Sequence, residues 1–234
     1  MIPARIGSER LKMKNLALLD NKPLITYVIN LAKEVELFDK IVINSDDSIF
    51  SEIANDYGID FYSRPKELGR SDIRSDHVVM DFIEKNECDT IVWLNSISPL
   101  QKKEELIGAL NYFKNENLDS LFTVYNNYAH CLYKDLAINF SESLEFSKTQ
   151  DLYPIQSFVY SIMLWNSKLF KVNMEKKGHA FFSGKVGYYP VSKESALVIK
   201  TAEDLYIAEN ILESRRKNCC LKYYNDVNER INVC

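Results

Sequence analysis

The 234-residue chain is 46% hydrophobic and 26% charged, with a formal net charge of −4. That balance belongs to an ordinary globular protein, long enough to bury a core without disulfide or metal staples. The acidity excludes a general nucleic-acid or anionic-membrane surface, and no run approaches the ~18 apolar residues of a spanning helix, so any anion site must be local.

In chain order, Met1-Ile2-Pro3 reads as the end of a strand, followed by a basic loop to Leu19. Pro23 opens "PLITYVINLAKEVEL", whose Leu24, Tyr27, Val28, Leu31 and Val35 recur at helical spacing. "KIVINS" is a short β-branched run and predicts a buried strand. "SIFSEIANDYG" predicts a helix that stops at Gly58, and "IDFYS" a strand. "SDHVVMDFIEKN", "DTIVWLNS", "KKEELIGALNYFKNE" and "SLFTVYN" continue the alternation of helix and strand. Such alternation predicts a Rossmann-like α/β sandwich of three layers, with a mostly parallel sheet. Ligands of such sheets bind beyond the carboxyl ends of the strands, so the loops after Ile2, Asn44 and Leu94 are the places to search.

The rhythm breaks after Asn126. Residues 127–190 are rich in aromatics and short extended runs and are expected to form a β-rich insertion, serving as a flap or dimer arm. "ALVIK" predicts a strand, and "TAEDLYIAENILESRRK" a helix started by a capping-box-like Thr201 and Asp204. The expected layout is one domain: an α/β core over 1–126, the insertion over 127–190, and a return to the core with a C-terminal helix and tail over 191–234. The five cysteines (88, 131, 219, 220 and 234) form no CxxC pair, which fits reduced thiols and a cytoplasmic location. The three histidines have no metal-ligand spacing, and no signal-peptide pattern is present.

Positive charge gathers in one place. "IPARIGSERLKMKN" sets Arg5, Arg10, Lys12 and Lys14 around the turn Gly7-Ser8, with Glu9 as its single acid. Gly and Ser let backbone N–H groups approach an anion closely. Arg5 offers a planar two-pronged donor for phosphate oxygens, and Lys14 a mobile point charge. A solvated basic loop is the plainer reading. The Walker pattern GxxxxGK[ST] and the pattern GxGxxG are both absent. Asp46 and Asp47 follow a strand at the crevice, where either a ligand role or an Asx turn would account for them.

The same stretch closely resembles the PAR-x-GS-x-R-x-x-x-KN signature of the acylneuraminate cytidylyltransferases (CMP-sialic acid synthetases). Further blocks follow in order over about residues 1–210. "NKPLITYVINLAKEVELFDKIVINSDD" resembles the family's KPL helix and the strand after it, and "SRPKELGRSDIRSDHVV" its RP-x-x-L segment. "LNSISPLQ" resembles QPTSPLR, "KTQDL" resembles RQDL, and "IKTAEDLYIAE" the closing D-x-D-T-x-E-D-L segment. The resemblance implies a nucleotidyltransferase that moves CMP from CTP to a nine-carbon sugar acid and releases pyrophosphate, with magnesium on the phosphates. It implies that Arg5, Gly7, Ser8, Lys14 and Asn15 hold the triphosphate, Arg5 and Lys14 being catalytic. Arg64 and Ser75 would face cytosine, Asn95 the nucleotide or sugar, and Gln150 or Lys148 the sugar, from the insertion. It further implies a homodimer through the insertion and a product that feeds surface polysaccharide or a glycosylation pathway; the composition already argues against a nucleic-acid or membrane partner. Each role has a plainer alternative: a loop anchor for Arg64, a helix cap for Ser75, backbone satisfaction for Asn95, and a surface position for Gln150.

The chain also departs from that pattern. The metal-binding D-x-D carboxylates are Val198 and Lys200, the Arg before QDL is Thr149, and the Asn-Gly pair is replaced near "FVYSIML". The losses fall on the metal and sugar half. They leave three readings open: a divergent member in which Lys200 supplies charge where the metal would sit; a nucleotidyltransferase for another acceptor; or a degenerate CTP-binding homologue. A protein-interaction scaffold built on the aromatic insertion is the reading from outside enzymology.

Overall fold

The computed structural model describes residues 1–217. The first strand, β1 (Ile2–Ala4), is followed by the basic loop, a 3-10 turn at Lys14–Leu16 and a small hairpin, β2 (Leu18–Leu19) with β3 (Lys22–Pro23). Then come α1 (Leu24–Val35), β4 (Val42–Ser45), α2 (Ile49–Tyr57), β5 (Asp60–Ser63) and α3 (Ser75–Lys85). The chain continues through β6 (Thr90–Leu94), α4 (Lys103–Asn115) and β7 (Ser120–Asn127) to a short hairpin, β8 (Leu132–Tyr133) with β9 (Leu136–Ala137). It ends in β10 (Ile155–Asn166), α5 (Ser167–Lys177), β11 (Val186–Pro190) and α6 (Ala202–Lys217).

Strands β5, β4 and β1 pair in parallel, and β6, β10, β7 and β11 form a four-stranded group. Two backbone bonds join the groups: the Met1 amine donates to the Val92 carbonyl at 2.8 Å, and the Leu94 amide to the Met1 carbonyl at 3.0 Å. The result is one sheet in the order β5-β4-β1-β6-β10-β7-β11, in which β10 runs against its neighbours. Strand periodicity then sorts the core. On β6, Val92 and Leu94 pack with α1, α2 and α4, while Ile91 and Trp93 pack with α3 and α5. The sheet is thus covered on both faces, which gives the expected three layers.

Local signals act as the sequence suggests. Gly58 ends α2 with a left-handed φ of 61°, and its N–H bonds the Asn55 carbonyl. The Asp204 carboxylate accepts from the backbone N–H groups of Lys200 and Thr201 at the start of α6. Two expectations are corrected. "ALVIK" is not a strand: it crosses the sheet's end, tied by a bond from the Ile199 amide to the Ile97 carbonyl at 2.8 Å. The stretch 127–190 is not all insertion, because β10 and β11 are strands of the main sheet and α5 covers it. The part outside the sheet is an arm of about residues 128–154, with exposed Tyr133, Leu136, Leu144, Phe146 and Tyr153. The C-terminal tail from Asn218, with Cys219, Cys220 and Cys234, lies outside the described residues.

Candidate active site

The loops after β1, β5 and β6 surround a polar cleft of about 470 Å3. Arg5, Ser8, Lys14, Asn15, Arg64, Ser75, Asn95 and Lys200 all line it, so the structure brings most of the expected site together. Gly7 lies in the turn beside them; nothing in the protein occupies the space a Cβ would take there, so glycine leaves the turn open rather than avoiding a clash. Gln150 and Lys148 lie in the exposed arm, away from this cleft.

The loop is built from buried clasps. The Asn15 Nδ2 donates to the Arg5 carbonyl at 3.2 Å, and its Oδ1 accepts from the Ser96 hydroxyl at 2.7 Å. Asn15 therefore ties the basic loop to the loop after β6. Asp46 accepts from the Ile6 amide at 3.3 Å and from Arg64 at 3.4 Å, so it positions two walls of the cleft. Asp47 accepts from the Ile49 amide at 2.9 Å, which starts α2. Both aspartates thus act structurally. Gly69 is needed close by: a Cβ there would stand 2.2 Å from the Asp46 carboxylate.

Arg64 is 5% exposed, and its Nε has no partner among the described residues. Trp93 is 8% exposed, lines the cleft, and its indole N–H is likewise unpartnered. Buried donors are rarely left orphaned in a fold, so these two stand out beside the cleft. Arg5, Arg10, Lys14 and Lys200 line the same cleft and have no salt-bridge partner among the described residues. Burial lowers the Lys14 ammonium from 10.5 to about 8, and Arg10, Arg5 and Lys200 push it the same way. An anion in the cleft would relieve that repulsion.

A second cleft of about 690 Å3 adjoins the first, and Ser75, Trp93, Asn95, Ile97 and Lys200 line both. Its wall is aromatic. Phe158 and Tyr160 stack with centroids 5.1 Å apart, and Phe181 and Phe182 come from the loop before β11. Asp76 holds that loop, accepting from the Ala180 and Phe181 amides at 2.7 and 2.9 Å. Tyr160 has a φ of 58° in an irregular stretch where residues 159–162 of β10 stand opposite Thr123 alone. The Asn95 side chain donates to its carbonyl at 3.3 Å. Sequence reasoning missed Trp93, Tyr160 and the two phenylalanines. Trp93 stands two residues before Asn95, next to the end of β6 that faces the crevice, which was the available signal.

The described residues form no dedicated divalent-ion site of their own. Lys200 lines both clefts and Val198 the larger one, while Glu9 lines the polar cleft and Asp204 the larger. One oxygen of Asp204 already accepts from Lys200 N, Thr201 N and the Thr201 hydroxyl. Among the described residues, no three His, Cys, Asp or Glu side chains converge as a metal site. Nor is any described helix long and apolar enough to cross a membrane.

The chain is similar in sequence and in fold to known proteins. An N-acylneuraminate cytidylyltransferase of Streptococcus agalactiae serotype V is 29% identical over 219 residues, which are 87% of this chain and 50% of that protein. The chain thus spans about half the length of that relative. A pseudaminic acid cytidylyltransferase of Campylobacter jejuni is 28% identical over 221 residues, 88% of this chain and 85% of that one. A solved CMP:2-keto-3-deoxy-manno-octonic acid synthetase in complex with CTP shares the fold, with a TM-score of 0.66 at 14% identity over 92% of this chain and 97% of that one. The family model described as cytidylyltransferase matches residues 1–232, so the chain belongs to the cytidylyltransferase family.

Proposed function

We propose that this chain is a nucleotidyltransferase that moves CMP from CTP to a hydroxyl of a sugar acid. The observation that carries this reading is the meeting of two unlike clefts, one cationic and one aromatic, at a shared rim of Ser75, Trp93, Asn95, Ile97 and Lys200. In-line transfer needs that arrangement, with the triphosphate on one side and the acceptor on the other. Arg5, Ser8 and Lys14 hold the phosphates, Arg64 and Ser75 face cytosine, and Asn95 lies between nucleotide and acceptor. The acceptor oxygen bonds to the α-phosphorus, the bond from that phosphorus to the oxygen bridging to the β-phosphorus breaks, and pyrophosphate leaves with the electron pair. The hydroxyl proton passes to solvent.

The acceptor is a nine-carbon sugar acid of the N-acylneuraminate kind. Aromatic rings stack on the C–H faces of sugars and on acyl methyl groups, which suits the wall of Phe158, Tyr160, Phe181 and Phe182. Gln150 and Lys148 line neither cleft of their own chain; a homodimer joined through the arm would bring them to the partner's acceptor. The test is pyrophosphate release from CTP with N-acetylneuraminate, pseudaminate and 3-deoxy-manno-octulosonate in parallel. Release with the first alone is expected. Release with another acceptor alone reassigns the sugar, and CTP binding with no release from any acceptor returns the chain to a nucleotide-binding role.

A further inference from the structure

We infer that the protein itself supplies the positive charge at the cleft junction, with the Lys200 ammonium as the group that meets the phosphates, so that CTP binds without a divalent ion. The inference rests on the nucleotide reading above and deepens it. A nucleoside triphosphate carries several negative charges, and a site must neutralise them with metal or with side chains. Here the polar cleft presents Arg5, Arg10, Lys14 and Lys200 without salt-bridge partners among the described residues. Magnesium is held by one or two carboxylates together with phosphate oxygens. Asp204, the carboxylate that lines the larger cleft with Lys200, uses its Oδ2 in starting α6.

The position of Lys200 is fixed by backbone. The Ile199 amide bonds the Ile97 carbonyl, which straps residues 198–200 onto the loop after β6. Ile199 itself is fully buried in a cluster with Leu19, Leu24, Leu100 and Ala208. Its neighbours Val198 and Lys200 both reach the larger cleft, and Lys200 lines the polar one as well. On the nucleotide reading, Lys200 therefore lies at the junction where the α-phosphorus and the acceptor would meet. It is close enough to Lys14 to contribute to that residue's lowered pKa. A cation in this place repels a second cation and attracts the non-bridging oxygens directly.

The experiment is calorimetric titration of the whole chain with CTP, once with EDTA and once with excess Mg2+. Equal affinity in the two conditions is expected. Lys200→Met, on an exposed position that folding tolerates, should weaken metal-free binding by about tenfold or more. Lys200→Asp should weaken it further and make Mg2+ restore it. CTP binding by the natural chain only when Mg2+ is present overturns the inference, as does a Lys200→Met chain with undiminished metal-free affinity. Failure to bind CTP in either condition overturns the nucleotide reading as well, so the two failures are distinct.

Discussion

Lys14 is the residue whose titration should be visible. Its ammonium sits at about 8 in the free protein, first because it is partly buried and then because Arg10, Arg5 and Lys200 surround it. The charged form is the one that attracts phosphate, and a bound triphosphate raises the pKa again. Affinity for CTP should therefore be level below about pH 7.5. Above about 8 it should fall, approaching tenfold per pH unit, because binding must then take up a proton. Tryptophan fluorescence can follow the titration, since Trp93 lines the cleft and Trp165 is fully buried. Lys14→Arg should flatten the profile, and a level profile in the natural chain would remove Lys14 from the phosphates. The charge on this loop was legible in the sequence because charge is a property of residues. The clasp role of Asn15 was not, since it depends on Ser96, distant in the chain and adjacent in space.

At the scale of elements, β10 is where periodicity gave least warning. A twelve-residue strand should alternate throughout, yet residues 159–162 stand opposite Thr123 alone, whose hydroxyl accepts from the Ile162 amide at 3.1 Å in place of a regular ladder bond. The irregular stretch re-aims Tyr160 into the larger cleft and turns its carbonyl to Asn95. A left-handed backbone at a residue with a Cβ costs about 1–2 kcal/mol, and such strain collects at functional positions. The consequence is an inverted substitution order. Inside an ordinary strand, Gly is worse than Ala by about 0.5–1 kcal/mol. At position 160 both truncations lose the stack on Phe158, but only Gly releases the strain. Tyr160→Gly should therefore be the more stable of the two by roughly 1 kcal/mol in denaturant unfolding. An Ala variant as stable as the Gly variant would mean that the backbone there is unstrained. Most other elements were legible because each had both a periodic face and a stop signal. "ALVIK" misled because Ile199 is buried against Leu19, Leu24, Leu100 and Ala208 rather than by strand neighbours, while Val198 lines the larger cleft.

At the scale of the whole molecule, the sheet explains where the clefts lie, and the arm remains outside that explanation. Its hairpin turns through Lys134 and Asp135, both left-handed, as a tight two-residue connection requires. A hairpin this short is marginal alone, yet the arm exposes Leu132, Tyr133, Leu136, Leu144, Phe146 and Tyr153. Apolar exposure on that scale marks a contact surface, and a two-fold pairing of identical arms would cover it. The same pairing would carry Gln150 and Lys148 toward the other chain's acceptor cleft. Light scattering should then give twice the chain mass. Replacing both Tyr133 and Leu136 with Glu should give a monomer that keeps its far-UV spectrum and its CTP affinity. That monomer should lose acceptor turnover if, as proposed, the phosphate side is served by one chain and the sugar side by two. A monomer with undiminished turnover would confine the acceptor site to a single chain and leave Gln150 and Lys148 as surface residues.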